Sequence, residues 1–455
     1  MNLTFTIKSN AHYYINIRER KVMQLSIPGL VLKIIEELHM AGYEAYAAGN
    51  TVRDCLIGLE PEELKVITDA PAEMVGVLFD RVYPSRNDDG SMTVFSDQVP
   101  VRVICLGEWM TELRHYSFTV NGISFDPFTE QLVDPWEVSR SLNSGVGVIQ
   151  AVGDPTARFQ EDPRQLLEVF YLMKRFDDAG MEWHLEPETW DALVQCSSTI
   201  RTLPLKEVGK LIDRIIVGRR PALYFEEMRR SGLLKYILPE LDDTYGIAEN
   251  GQNIKDVFDH TMLVVQKIRP ELHLRWAALL HDIGKPHCIS YQGDRVHFYG
   301  HQVIGSVISR RILGRLKYSK EFIEKVSFLV FHHMYPTPRT KKAVLRFVNK
   351  IGLKNLGDLL ELRRADIMGG KYKNLGRLEH FKKEIDAVLF ELPPFSIKNL
   401  EVDGYDVMQV LGVKPGPIVG SALQFLFERV KENRDLNKRE ILIKMLKEEF
   451  GEIRK

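Results

Sequence analysis

The stretch LRWAALLHDIGK, residues 274–285, decides how the second half of the chain is read. Leu274, Ala277, Ala278 and Leu280 recur at helical spacing, which predicts a buried helix with a rigidly held polar end. At that end stand His281 and Asp282, adjacent and therefore pointing in different directions, with Lys285 one turn further on. Neutral imidazole and carboxylate form the donor mix that suits Mg, Mn, Fe or Ni/Zn-type cations. Upstream lies His260 in VFDHTMLVVQKI; downstream come His301 in FYGHQVIGS, His332-His333 in FLVFHHMYP and Asp366 in RRADIMGG. Of the histidine pair, His333 is the favoured ligand. The ordered set His260, His281, Asp282, His301, His333 and Asp366 predicts a centre for one or two divalent cations. Such a centre lowers the pKa of a bound water for attack on phosphorus. Asp282 is placed to bridge while His281 ligates, and Lys285 to contact a phosphate oxygen. His281, Asp282 and Lys285 are the candidate catalytic groups. The competing reading is incidental pairing of histidines with acids in a chain that has 13 histidines. His273, His287 and His297 are read that way, as surface residues.

The composition bounds the rest. The chain has 455 residues, 44% of them hydrophobic, enough for two or three domains with cores. Charged residues make up 27% and leave a net charge of -1, which excludes a globally basic nucleic-acid binder but not local basic patches. No run of about eighteen apolar residues occurs, so no membrane span is expected. The first residues, MNLTFTIKSNAHYYINIRERK, lack the pattern of a secretory leader. Cys55, Cys105, Cys196 and Cys288 are scattered without a CxxC pair, which argues against a disulfide frame or zinc ribbon and favours the cytoplasm.

Along the chain, IPGLVLKIIEELHMAGY (27–43) reads as an amphipathic helix and YEAYAAG as a short buried strand turning at Gly49. TVRDCLIGL is the next helix. ELKVIT and SMTVFSDQVPVRVICL read as strands. From Arg158 onward strand signals nearly vanish, and PRQLLEVFYLMKRF, LKEVGKLIDRII and PALYFEEMRRSGLL are successive amphipathic helices. PELDDTYGIAENGQN (239–253) is loop-rich and marks a boundary, after which helices run nearly to Lys455.

At the His-Asp series the sequence resembles the HD superfamily, whose members hydrolyse phosphomonoesters and phosphodiesters. The resemblance then widens. YAAGNTVRDCLIGLEPEELKVITDAP, FTVNGISFDPFTEQLVDPW, VGDPTARFQEDPRQLLEVFYLMKRF and LEVDGYDVMQVLGVKPGPIVG resemble, in order, segments of the tRNA nucleotidyltransferase/poly(A) polymerase family, the CCA-adding enzymes. The chain is most similar to the bacterial branch with an HD domain behind head and neck, from about residue 24 to about residue 445. The fold so implied is α+β and mostly α. A 1–23 extension precedes an α/β nucleotidyltransferase-like head (24–150). A helical neck (151–238), an all-α HD domain (239–370) and a helical tail (371–455) follow.

In such enzymes, the resemblance implies, a Gly-Gly turn and an Arg-Asp pair frame the nucleotide, and an Asp-x-Asp carries two Mg ions for transfer to a 3′ hydroxyl. This chain keeps Gly49, Arg53, Asp54, Thr68, Asp69, Thr119 and Asn121. It departs at the chemistry. The second glycine is Asn50, the two aspartates are Glu63 and Lys65, and a further acid is Arg102. The Arg-Arg-Asp before Phe-Thr is His115-Tyr116-Ser117, and the base-reading arginine after Glu161-Asp162 is Gln165. Lysine cannot ligate Mg and repels it; glutamine lacks the guanidinium fork. The degenerate head is therefore expected to keep nucleotide-contacting positions at Gly49, Arg53, Asp54, Glu63, Asn121 and Asp162 while losing transfer. Asp88, Asp89 or Asp97 are the candidate substitute acids for a rebuilt site.

Three basic stretches with aromatics, 310–320, 338–350 and 369–383, are read as solvated helix faces or as tracks for a phosphate backbone. Tyr372 is a candidate stacking ring there, and Phe347 is read as core. The expected activity is metal-dependent hydrolysis of nucleotides or RNA ends, the tRNA 3′ end foremost. The alternatives are an active CCA-adding or poly(A)-type transferase and a non-catalytic RNA-binding protein. Oligomeric state stays open.

Overall fold

The computed structural model describes residues 25–84, 91–96, 98–106, 116–248, 256–292, 295–370, 374–391, 396–432 and 434–451. Asp88, Asp89, Asp97, His115 and Tyr372 lie outside them. The chain divides into two compact units. The first runs to Ala248 and adds Pro270–Leu272 and Arg311–Lys320; the second takes the remainder.

In the first unit, α1 (Gly29–Met40) buries Val31, Ile34, Ile35 and Leu38, a spacing that gives one apolar stripe. It ends where Tyr43 N donates to Leu38 O and Gly42 takes φ +88°, a left-handed stop that glycine adopts without strain. The strands are β1 (Ala45–Ala48), β2 (Leu64–Thr68), β3 (Val82–Pro84), β4 (Met92–Ser96), β5 (Val99–Cys105), β6 (Ser124–Asp126) and β7 (Gln131–Val133). They form one mixed sheet in the order β3-β4-β5-β2-β1-β6-β7, with β2 and β5 parallel. Alternation sorts the side chains. Ala45, Ala47, Val66, Val101 and Val103 join the α1 core, whereas Tyr46, Ala48, Ile67 and Ile104 pack on the other face with Tyr116. Lys65 and Arg102 share that second face and are direct register partners. The helix α2 (Asn50–Leu56) follows Gly49. Further along the unit come α3 (Ala72–Leu78), α4 (Val138–Asn143), α5 (Pro155–Glu161), α6 (Gln165–Asp178), α7 (Pro187–Cys196), α8 (Leu205–Ile216) and α9 (Pro221–Arg230).

Behind the sheet-forming segment, α6 (Gln165–Asp178) is apolar on nearly every side: Leu166, Leu167, Val169, Phe170, Leu172 and Phe176 are fully buried. Its Tyr171, Lys174 and Arg175 are buried with partners. Glu62 accepts from Tyr171 Oη (3.0 Å), Lys174 Nζ (2.7 Å) and Arg175 Nη1 (3.0 Å), and Arg214 Nε lies 3.4 Å away. Arg175 Nη2 also pairs with Asp54 at 2.8 Å. A short parallel pair, β8 (Val146–Ile149) with β9 (Glu182–Leu185), interrupts the helical region expected there.

In the second unit, α10 (Val257–Lys267) starts on Asp256, whose side chain accepts from Asp259 N at 2.7 Å. Next come α11 (Leu272–Leu280), a hairpin of β10 (Ile289–Gln292) and β11 (Arg295–Phe298), α12 (His301–Arg315), α13 (Lys320–His332), α14 (Lys341–Ile351), α15 (Leu353–Gly369) and α16 (Gly376–Glu391). The hairpin is the one departure from an all-helical run among the described residues. Helices Gly404–Leu411, Pro417–Glu432 and Arg439–Phe450 form a tail with its own core of Val402, Val407, Leu426, Val430, Leu442 and Leu446. No helix among the described residues is long and apolar enough to cross a membrane.

Burial alone would raise the Glu62 carboxyl, but Lys174, Arg175 and Arg214 hold it at about 2 against an ordinary 4.5. A depressed carboxylate contributes stability above its unfolded pKa and loses it as pH falls through the folded value. Thermal melts from pH 7 downward should therefore show Tm falling between about 4.5 and about 2, and Glu62→Gln should flatten that part of the curve. An unchanged acid limb in the variant would refute this assignment.

Candidate metal centre

Two close approaches bring the centre together. A Cβ on Gly284 would lie 2.2 Å from His301 O and 2.6 Å from Gly305 N, so only glycine lets the turn after Asp282 press against the start of α12. A Cβ on Gly369 would meet Val264 Cγ2 at 2.7 Å, so glycine also sets the distance between α15 and α10. Those contacts carry His301 to Asp282 and Asp366 to His260.

All six residues predicted from the sequence converge, as two groups. Donor atoms of His260, His281 and Asp366 lie within 4.8 Å of one another, as do those of Asp282, His301 and His333. Asp282 faces both: Oδ2 is 3.0 Å from His281 Nε2 and 3.5 Å from His260 Nε2, while Oδ1 is 3.2 Å from His301 Nε2 and 3.8 Å from His333 Nε2. Asp366 Oδ1 is 3.1 Å from His260 Nε2. The five other than Asp366 are almost wholly buried. His332 belongs to neither group and packs against Phe328, tilted at 4.4 Å, and Phe331, edge-on at 4.8 Å. Lys285 does not reach outward: its Nζ is 2.7 Å from Asp282 Oδ2 and sits over the Phe298 ring.

The ring tautomers bear on whether the donor set fits a cation. His281, His301 and His333 each donate Nδ1–H to a backbone carbonyl, of Ala278, Phe298 and Val330, at 2.8, 2.7 and 2.7 Å. In His301 and His333 the proton on Nδ1 leaves a lone pair on Nε2. His301 and His333 then face each other Nε2 to Nε2 at 3.3 Å, two acceptors in a dry interior. Such a pair repels unless positive charge lies between the two, so the residues fit a cation. His260 Nε2 lies 3.2 Å from His281 Nε2 and 3.1 Å from Asp366 Oδ1. Burial opposes charge on His281, yet the Asp282 carboxylate beside it holds the imidazole up at about 9, so without a cation a proton takes the place on Nε2 that a cation would fill. Burial, reinforced by charged His281, pushes His333 down to about 4. Burial would raise Asp366, but the His260 hydrogen bond holds it at about 2.

The head positions are more dispersed. Arg53 and Asp54 form a buried pair at 2.7 Å, with Arg53 Nη1 donating to Asn121 Oδ1 at 2.5 Å. Gly49 takes φ +65°, and a Cβ there would lie 2.9 Å from the Tyr116 ring. Glu63 accepts from Asn50 Nδ2 and pairs with Arg214 Nη1, each at 2.9 Å. Lys65 Nζ lies 5.0 Å from the Tyr116 ring centre, and Asp162 is taken up by Arg164 at 2.7 Å. Sequence reading had not singled out Glu62, Lys174, Arg175 or Arg214; partners more than a hundred residues apart leave no local signal.

A family model described as HD domain matches residues 257–370, and one described as probable RNA and SrmB-binding site of polymerase A matches residues 183–245. An A-adding tRNA nucleotidyltransferase of Deinococcus radiodurans is 30% identical over 84% of this chain and 91% of its own length. A CC-adding tRNA nucleotidyltransferase of Thermus thermophilus is 34% identical over 51% of this chain and 54% of its own. The crystal structure of the Bacillus stearothermophilus CCA-adding enzyme in complex with CTP shares the fold, with a TM-score of 0.67 at 20% identity, covering 92% of this chain and 96% of that one. Identity carried along nearly the whole length, together with the matched HD segment, shows that the chain belongs to the tRNA nucleotidyltransferase family and carries an HD domain.

Proposed function

We propose that this protein is a divalent-metal-dependent phosphohydrolase acting on nucleotides or RNA 3′ ends, the tRNA 3′ end foremost. His260, His281 and Asp366 would hold one cation, and Asp282, His301 and His333 a second, with Asp282 shared. The observation that carries the reading is the pair of inward lone pairs of His301 and His333, 3.3 Å apart beside the Asp282 carboxylate. Imidazole and carboxylate donors without a thiolate suit Mg, Mn, Fe or Ni/Zn-type ions. A cation bound there supplies Lewis acidity and an acidified water near neutral pH. The chain's own part is orientation. The three carbonyls orient the rings, Gly284 and Gly369 set the spacing, and Lys285 anchors Asp282.

The head is proposed as a binding platform for a nucleotide or RNA end rather than a transfer site. A Mg ion at its sheet face would meet Lys65 and Arg102 side by side, with Glu63 already held by Arg214. Gly49, Arg53, Asp54, Asn121 and Asp162 would then keep the architecture of nucleotide binding. The head, neck, HD and tail boundaries near residues 150, 238 and 370 belong to the same proposal. Active nucleotide addition is the second reading, favoured by long similarity to relatives named for adding A and CC.

One metal-replete preparation decides between them. Hydrolysis of 2′,3′-cyclic nucleotides or bis-p-nitrophenyl phosphate is expected, falling to background in Asp282→Ala, without extension of tRNA lacking CCA by labelled CTP or ATP. Extension in the presence of Mg would establish the second reading; absence of both metal and hydrolysis would sink the first. Among the paired histidines, His333→Ala should lower bound metal per chain, and His332→Ala should leave it at the wild-type level. The reverse order would contradict the ligand assignment.

A further inference from the structure

Consecutive arginines on α15 have opposite fates. Arg364 is neutralised on its own helix, donating to Glu361 through Nε and Nη2, each at 2.8 Å, and to Lys267 O. Arg363 has no such acid. It stands three residues before Asp366, on the same helix face. Its Nη2 donates to Thr337 Oγ1 at 3.0 Å, in the loop that follows His333. The guanidinium carbon lies 5.8 Å from the centre of the fully buried Phe381 ring. Its Nη1 is buried and makes no hydrogen bond. Burial pushes its pKa down, and the Asp366 charge only partly offsets this. A guanidinium nonetheless stays protonated in proteins. The fold therefore holds a permanent cation, with one donor unmet, between the helix carrying Asp366 and the loop leaving His333. A half-buried cation that Asp366 only partly offsets, with one donor unmet, suits an anionic partner from outside the chain.

We propose that Arg363 is the phosphate anchor of the metal centre, its Nη1 donating to a non-bridging oxygen of a phosphate ester held on the Asp366 side. The assignment rests on the phosphohydrolase reading above and names the group that binds the substrate's phosphoryl oxygen. Arginine suits this task better than lysine because its planar fork keeps Nη2 on Thr337 while Nη1 points elsewhere.

The test titrates inorganic phosphate into full-length, Mn-loaded protein by calorimetry, alongside metal content, Tm and the KM for a 2′,3′-cyclic nucleotide. Arg363→Gln is expected to weaken phosphate binding by about tenfold or more, the loss of one charge-assisted hydrogen bond, and to raise KM more than it lowers kcat. Metal content should stay at the wild-type level. Arg363→Lys should fall between the two, and carries the comparison alone if the glutamine variant melts early. Lys354→Gln, at an exposed residue paired with Glu321, is the control and should match wild type. Wild-type phosphate affinity in both Arg363 variants, no phosphate binding by the wild type, or a loss that only follows lost metal would each overturn the proposal. Phosphate bound through Arg363 in a protein that hydrolyses no ester would sink the hydrolase reading and keep the anchor. Hydrolysis with phosphate affinity independent of Arg363 would do the reverse.

Discussion

The second unit is organised around a carboxylate that cannot be buried alone. Asp282 is 3% exposed, and the cost of taking its charge out of water has to be met by the groups packed round it. Lys285 supplies one ion pair on Oδ2. The other close neighbours are imidazoles, of which His301 and His333 have committed their Nδ1 protons to backbone carbonyls and turned Nε2 inward. That geometry is costly for a protein by itself and favourable for a protein with cations. The glycines at 284 and 369, the helix cap at Asp256 and the apolar packing of Leu272–Leu280 hold it in place.

The first unit shows the opposite electrostatic choice. Its Arg53–Asp54–Arg175 and Glu62–Lys174–Arg175–Arg214 contacts satisfy charge with charge, within the chain. Removing one partner from the buried Arg53–Asp54–Arg175 set typically costs about 3–5 kcal/mol, because the remaining charge is left unmatched. Glu63 is drawn into the same network through Arg214, and Lys65 lies beside Arg102 on the sheet. Asp54, Glu62 and Glu63 are thus each paired with a cationic side chain of the same unit.

How much of this was legible in sequence depends on the range of the interaction. The six candidate ligands could be named because each sits in a short motif with its own helical context, and the choice of His333 over His332 agrees with the packing of the two rings. Phe347, read as core, is buried. The hairpin Ile289–Phe298 was not foreseen, since two four-residue strands carry too little periodicity to distinguish them from loop. Lys285 was expected to face a phosphate, and its pairing with Asp282 follows from the three-residue helical offset that the motif already contains. The network at Glu62 and the open donor of Arg363 depend on contacts between distant segments, which periodicity cannot register.

The central claim is that Asp282 joins two cation sites in one buried centre. Reconstituting the full-length protein with Mn(II) and recording its electron paramagnetic resonance spectrum tests this most directly. The account predicts two ions per chain with an exchange-coupled signal, lost in Asp282→Ala. A six-line spectrum of isolated Mn(II) at one ion per chain, or no uptake at all, would contradict it.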